Sequence, residues 1–205
     1  VDTRNLRSNV IDFTIPVDGM ESPWRRAQIV FVYDSKRVQD PPRSVPDLLR
    51  WAKAHPGRLT HPSVRNFLGS TFLKQALYEL APDPAVLQRP ATDENFAAVT
   101  APLWTWYDAL RPVLWRQGRQ FPENGPAQRQ LMNDGEIDMM ISFNPSEAAV
   151  AVTAGLLPDS VRTAQEHASS TAVPGGQPQA APAGELAQFV SECLRHGSQE
   201  VYARS

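Results

Sequence analysis

The chain has 205 residues, of which 41% are hydrophobic and 20% charged, with a formal net charge of −2. That length can bury a sizeable core in one large domain or two small ones. The near-neutral balance excludes a general electrostatic grip on nucleic acid or on an anionic membrane.

Nineteen prolines argue against a simple helical bundle. The single cysteine, Cys193, excludes an internal disulfide and a Cys-based zinc site. No apolar run reaches the roughly 18 residues of a membrane-spanning helix. The opening VDTRNLRSNVIDF has no apolar h-region, so no signal peptide is expected in it, and a start without Met points to a position inside a longer chain.

Residues 11–15 (IDFTI) alternate like a strand that ends at Pro16. Residues 27–33 (AQIVFVY) form a continuous apolar run rich in β-branched and aromatic types. Such a run predicts a strand buried on both faces, as in a mainly parallel sheet. In PPRSVPDLLRWAKAHPG, Ser44 is the expected N-cap of a helix, with Asp47 completing a capping box and Pro46 in the first turn. Gly57 is the expected C′ residue, and Arg58–His61 a short strand after it.

Residues 70–80 read as a helix with Phe72, Leu73, Ala76, Leu77 and Leu80 on one side. Thr92 is the expected cap of a helix over 93–111, in which Pro102 begins a second segment or a kink. Its apolar face is Phe96, Val99, Leu103, Trp106 and Leu110. A short helix over 127–133 ends at Asp134-Gly135, and EIDMMISF reads as a second buried strand. Asn144-Pro145-Ser146-Glu147 opens a helix that Gly155 stops. Strands alternating with helices predict an α/β domain. Beyond Thr163 the Ala/Ser/Pro/Gln-rich composition reads as linker or disorder, followed by a short amphipathic helix at 185–195.

No enzyme signature is present: no G-x-S-x-G, no H-E-x-x-H and no P-loop, and the four histidines do not pair at ligand spacing. Gly69-Ser70-Thr71 opens a helical pattern and has two readings. Free backbone N–H groups and two hydroxyls can cradle an anion; alternatively Ser70 caps the helix and Gly69 turns the chain. Asn144-Pro145-Ser146 is a second strand-to-helix turn with the same options, at a place where α/β sheets collect ligands.

Trp51 and Trp106 fall on apolar helical faces and are expected in the core. Trp104 lies off the main stripe of its helix. Trp24 and Trp115 sit beside arginines in turn-rich segments, where they either stack on a ligand or pack under a loop. Asp134, Glu136 and Asp138 suggest a metal site or, more simply, a turn and the outward edge of a strand.

Several stretches resemble the extracellular solute-binding proteins of ABC transporters, in the subgroup near the iron-, thiamine- and polyamine-binding relatives. They are DFTIPVDGMESPW, AQIVFVYDSKRVQDPPRSVPDLLRWAKAHPGR, NFLGSTFLKQALYEL, LWRQGRQFPENG and GEIDMMISFNPSEAAVAVTAGLLPDSVR, and they cover roughly residues 10–163. The chain departs from the subgroup at Arg25 after ESPW, where a small residue is usual. It also departs at THPSVRN, where an aromatic-Pro step is usual.

The resemblance implies a type II periplasmic-binding fold, here mainly one lobe with a mixed or parallel sheet flanked by helices. It implies three parts: residues 1–26 as the end of a first-lobe segment and crossover, 27–155 as the second lobe, and 156–205 as an atypical C-terminal segment. It implies a protein nearly twice this length, with most of the first lobe before Val1. The likeness stops after Arg162, which is expected of a frameshifted, mis-spliced or truncated reading frame.

The implied function is capture of a small solute for import through an ABC permease, at a periplasmic or extracellular location. Nucleic-acid partners, cofactors, catalytic residues and metal ligands are not expected. The ligand contacts implied are Trp24, Gly69, Ser70, Thr71, Asn144 and Ser146. A helix N-terminus favours an anionic or phosphorylated solute, while tryptophans favour a cationic one such as thiamine or a polyamine. Iron ranks lower, since no adjacent tyrosine pair is present. The alternatives are an enzyme on a related fold, using His55 or His61, and a non-functional remnant.

Overall fold

The computed structural model describes residues 29–88 and 92–164, with a short hairpin at 11–12 and 15–16. The hairpin pairs β1 (Ile11–Asp12) antiparallel with β2 (Ile15–Pro16), so the single strand expected over 11–15 is two short ones. Trp24, Cys193 and the amphipathic segment at 185–195 lie outside the described residues.

The centre of the molecule is β3 (Val30–Asp34), flanked by β4 (Met139–Ser142) and β5 (Val161–Thr163). Both ladders are antiparallel, with Val30 opposite Ser142 and Val32 opposite Thr163. Beyond β4 the sheet turns mixed. Leu59 forms a parallel bridge with Met139. Outside Leu59, the Trp115 N–H donates to the Leu59 carbonyl at 2.8 Å, and the Gly57 N–H to the Val113 carbonyl at 2.8 Å.

Among the described residues five α-helices cover the two faces: α1 (Val45–Ala54), α2 (Phe67–Leu80), α3 (Asp93–Leu110), α4 (Gly125–Asn133) and α5 (Glu147–Thr153). Side chains alternate across a strand, so each strand feeds both layers. Ile29, Phe31, Tyr33, Met139 and Ile141 join α1, α2 and α3 in one core. Val30, Val32 and Met140 join Met132 of α4 and Ala148 and Ala151 of α5 in the other. This corrects the inference from AQIVFVY and EIDMMISF. Their continuous apolar runs report two covered faces and carry no information about strand direction, which is antiparallel between them.

Helix boundaries follow local chemistry. Ser44 caps α1 by accepting the Asp47 N–H at 3.2 Å, with Pro46 in the first turn. The C-cap is His55, so Gly57, at φ 79°, lies one position beyond the expected C′. Thr92 caps α3 in a reciprocal box with Asn95. Pro102 sits inside that helix, which continues unbroken to Leu110. Trp106 is buried and its indole N–H donates to the Val45 carbonyl at 3.0 Å, holding α3 to the start of α1. Among the described residues no helix is long and apolar enough to cross a membrane.

Candidate functional site

The chain enters β3 at Val30 and leaves β5 after Thr163, and both points are at the same end of the sheet's strands. Antiparallel pairing puts the start of β3 beside the end of β4, at Val30–Ser142. The Ala164 N–H donates to the Phe31 carbonyl at 2.8 Å, so the exit lies at that end too. The turn after β4 carries Phe143, whose ring centroid is 5.4 Å from that of Phe67, the first residue of α2. The N-terminal end of α2 and the turn into α5 therefore meet at a corner at this end of the sheet. Phe67 is 63% exposed there, the most exposed of the large apolar side chains described.

The structure brings two of the predicted turns together, but their roles differ from the sequence reading. Asn66 caps α2: its side chain accepts the Leu68 N–H at 3.0 Å, and its carbonyl accepts the Ser70 N–H at 3.0 Å. Gly69, Ser70 and Thr71 are thus inside the helix, one turn past its start, and Ser70 is not the cap. Asn66 prevails because its short amide reaches the first-turn N–H groups from an extended backbone. Gly69 does not turn the chain either. A Cβ there would sit 2.2 Å from the Pro62 oxygen and 2.4 Å from the Ser63 oxygen, so its role is close packing.

The Ser70 hydroxyl donates to the Phe67 carbonyl at 3.0 Å. The Thr71 hydroxyl is buried and has no hydrogen-bond partner among the described residues. One turn on, burial lowers the Lys74 ammonium pKa. At the second turn, the Asn144 side chain accepts the Ser146 N–H at 3.1 Å, and the Asn144 N–H donates to the Ser142 hydroxyl at 3.0 Å. Arg129 of α4 pairs with Glu147 at 2.7 Å and fixes the start of α5.

A cavity of about 270 Å³ lies on the α1/α2 face, bordered by Ile29 and Ala164 where the chain enters β3 and leaves β5. Phe31, Tyr33, Phe72 and Ala76 form its apolar floor, and Arg43 and Glu79 stand among its polar lining. Among the described residues none of the predicted contacts lines it.

The three acidic side chains of the triplet are each engaged by a different residue. Asp138 is 7% exposed and accepts Arg58 Nε at 2.7 Å and Arg37 Nη1 at 3.0 Å. Its carboxyl pKa falls below the usual range: burial opposes this, but the bonds and charges of Arg58 and Arg37 outweigh it. The Asp138 carboxylate in turn raises the Arg58 guanidinium. Glu136 accepts the Trp115 indole N–H at 2.7 Å, and Asp134 accepts the Gln130 amide at 2.8 Å. Among the described residues no group of three or more His, Cys, Asp or Glu could hold a metal ion.

Trp115 packs under a loop. Its ring is half-buried against the second core, and the Arg116 guanidinium lies 4.4 Å from its centroid. The loop beside it holds Arg116 and Gln117 at positive φ (49° and 59°), a conformation disfavoured for residues with a Cβ. Trp51 is half-buried and stacks on His55 at 4.6 Å; Trp104 is half-buried against the first core.

Sequence reasoning gave His61 no place except in the enzyme alternative, yet it lies directly beneath the corner. It is 2% exposed, and its Nδ1 is 2.8 Å from the Pro62 carbonyl, which can only accept. Nδ1 therefore carries the proton, and Nε2 accepts from the Tyr107 hydroxyl at 3.1 Å. Phe72 and Phe121 pack against the ring. Burial lowers its pKa to about 4. His55 sits at the exposed end of α1 instead, with Nδ1 3.0 Å from the Trp51 carbonyl.

By sequence, the chain is similar to Protein YnjB of Escherichia coli strain K12, 42% identical over 149 residues. Those residues are 73% of this chain and 38% of that protein, so the chain spans well under half of the relative. No protein-family model matches. Among solved structures, iron-bound HitA from Pseudomonas aeruginosa gives a TM-score of 0.43 at 19% identity, over 67% of this chain and 36% of that one. The spermidine/putrescine ABC transporter substrate-binding protein PotD from Streptococcus pneumoniae gives 0.46 at 11% identity, over 73% and 39%.

Proposed function

We propose that this chain contains the second lobe of a solute-binding component of an ABC import system. In this reading it is a type II periplasmic-binding lobe, working in the periplasm or outside the cell and delivering a small solute to a permease. The domain division would be 1–26 as the end of a first-lobe segment and crossover, 27–155 as lobe and 156–205 as an atypical C-terminal segment, whose first residues return as β5 to pair with β3.

The observation that carries this is the shared strand end. The chain enters and leaves the lobe at the end of the sheet where α2 begins and β4 ends. A second lobe attached through those two connections would face the Asn66–Thr71 and Asn144–Ser146 turns, and a solute would be enclosed between them. Ser70 and Asn144 would supply polar contacts and Phe67 and Phe143 an apolar wall. Trp24, five residues before Ile29, would come from the crossover. The role is binding rather than catalysis.

Thermal unfolding with thiamine, its phosphates, spermidine, sugar phosphates and ferric ion, each added separately, tests this. A bound solute at 100 times its Kd stabilises by about 2.7 kcal/mol. The expected result is a rise in Tm with one of these classes that Asn144→Ala reduces. No rise with any of them overturns solute binding by this chain.

A further inference from the structure

We infer that His61 is a positioning residue for the corner at the start of α2. This deepens the proposed solute site and rests on that reading for its functional meaning. The mechanical link itself is independent of any ligand.

The link runs through three contacts in turn. His61 is held from three sides by the rings of Phe72, Tyr107 and Phe121, with centroids 5.3, 5.8 and 4.8 Å away. From that fixed ring, Nδ1–H donates to the Pro62 carbonyl at 2.8 Å. That same carbonyl, with that of Ser63, lies against the bare Cα of Gly69 in the first turns of α2. The intervening loop is pinned at two more points. The Ser63 N–H donates to the Pro122 carbonyl at 2.9 Å, and the Asn66 N–H to the Ser63 carbonyl at 2.8 Å.

The position of the α2 start thus depends on how the Pro62 and Ser63 carbonyls are oriented. The donor that orients the first of them is the imidazole. A neutral ring with its proton on Nδ1 is required. The Pro62 carbonyl, which can only accept, fixes that tautomer, and the Tyr107 hydroxyl donates to the unprotonated Nε2. A bland core histidine would fill space; this one carries a directed bond to the peptide that seats the helix.

Backbone hydrogen exchange, read residue by residue in the full chain, separates these roles. His61→Asn keeps an amide donor near the Nδ1 position, His61→Gln places its donor near Nε2, and His61→Phe keeps the ring without a donor. Tyr107→Phe removes the hydroxyl that donates to Nε2 and leaves the Nδ1 donor in place. The expected result is that the amides of Ser63, Asn66, Leu68 and Ser70 exchange on the order of tenfold faster in His61→Phe and His61→Gln. They stay near wild type in His61→Asn and Tyr107→Phe. Amides of β3 and β4 keep their protection in all four.

Equal acceleration across the lobe in every His61 variant overturns the inference, as does no change at these four amides in any of them. Adding spermidine or thiamine pyrophosphate to the same samples tests the solute reading separately. Failure of either to protect the corner leaves the exchange comparison among variants intact.

Discussion

The carbonyl oxygen of Pro62 lies so close to the Cα of Gly69 that a methyl group there would be 2.2 Å from it. The oxygen of Ser63 would be 2.4 Å away, and both obstacles are backbone atoms that cannot swing aside. Gly69→Ala is therefore expected to lower stability by about 2–3 kcal/mol through overpacking. Urea unfolding checks this: the midpoint falls while the slope stays constant. A midpoint equal to wild type would mean that α2 does not sit against the 62–63 loop.

The cap of α2 is Asn66, so the two candidate caps separate cleanly by mutation. Asn66→Ala should cost about 1 kcal/mol by leaving the Leu68 N–H without its acceptor. Ser70→Ala removes only a hydroxyl bonded to the Phe67 carbonyl and should stay within about 0.5 kcal/mol of wild type. Chemical denaturation of the pair decides the assignment, and the reverse order would restore Ser70 as the cap.

His61 makes stability depend on pH in a defined window. Its folded pKa of about 4 lies below the ordinary value of 6.5. Between those values the unfolded chain binds the proton and the folded chain does not, so stability rises with pH. The contribution is fully present above pH 6.5 and is lost as pH falls towards 4, a span worth about 3 kcal/mol. Unfolding free energies across pH 4–7 should show this slope in the wild type, and His61→Phe should flatten it.

Asp138 acts in a lower and separate window. Its folded pKa is depressed below 3.8, so its contribution is present above that value and lost as pH falls through the folded pKa. Asp138→Asn should cost about 2 kcal/mol at neutral pH, less than for a fully buried pair, since Arg58 and Arg37 are partly exposed. The acid limb below pH 3.8 should shrink with it. Calorimetry at pH 3 and pH 7 measures both effects together.

Local order was readable in the residues because short-range chemistry dominates it. Ser44 and Thr92 announce their helices through side chains that bond N–H groups three residues on. Gly135 and Gly155, at φ 73° and 69°, stop α4 and α5 where a left-handed residue is needed. The apolar parity of VFVYD and MMIS marks strands covered on both faces.

Long-range relations were not readable, because they join atoms far apart in the chain. Strand direction is set by the route of the chain between β3 and β4, which apolarity does not encode. Asp138 reads as the outward edge of a strand until Arg58 and Arg37 converge on it from 80 and 101 residues away.

By itself, the sequence determined an α/β fold, the caps Ser44 and Thr92, the stops at Gly135 and Gly155, and two polar turns worth attention. Only the tertiary structure decided that those turns share one end of the sheet, that Gly69 serves close packing, and that His61 stands beneath them. The physical reason is that caps and periodicity are local bonds along one segment. A corner is made by Phe67 and Phe143, 76 positions apart, meeting ring to ring at 5.4 Å.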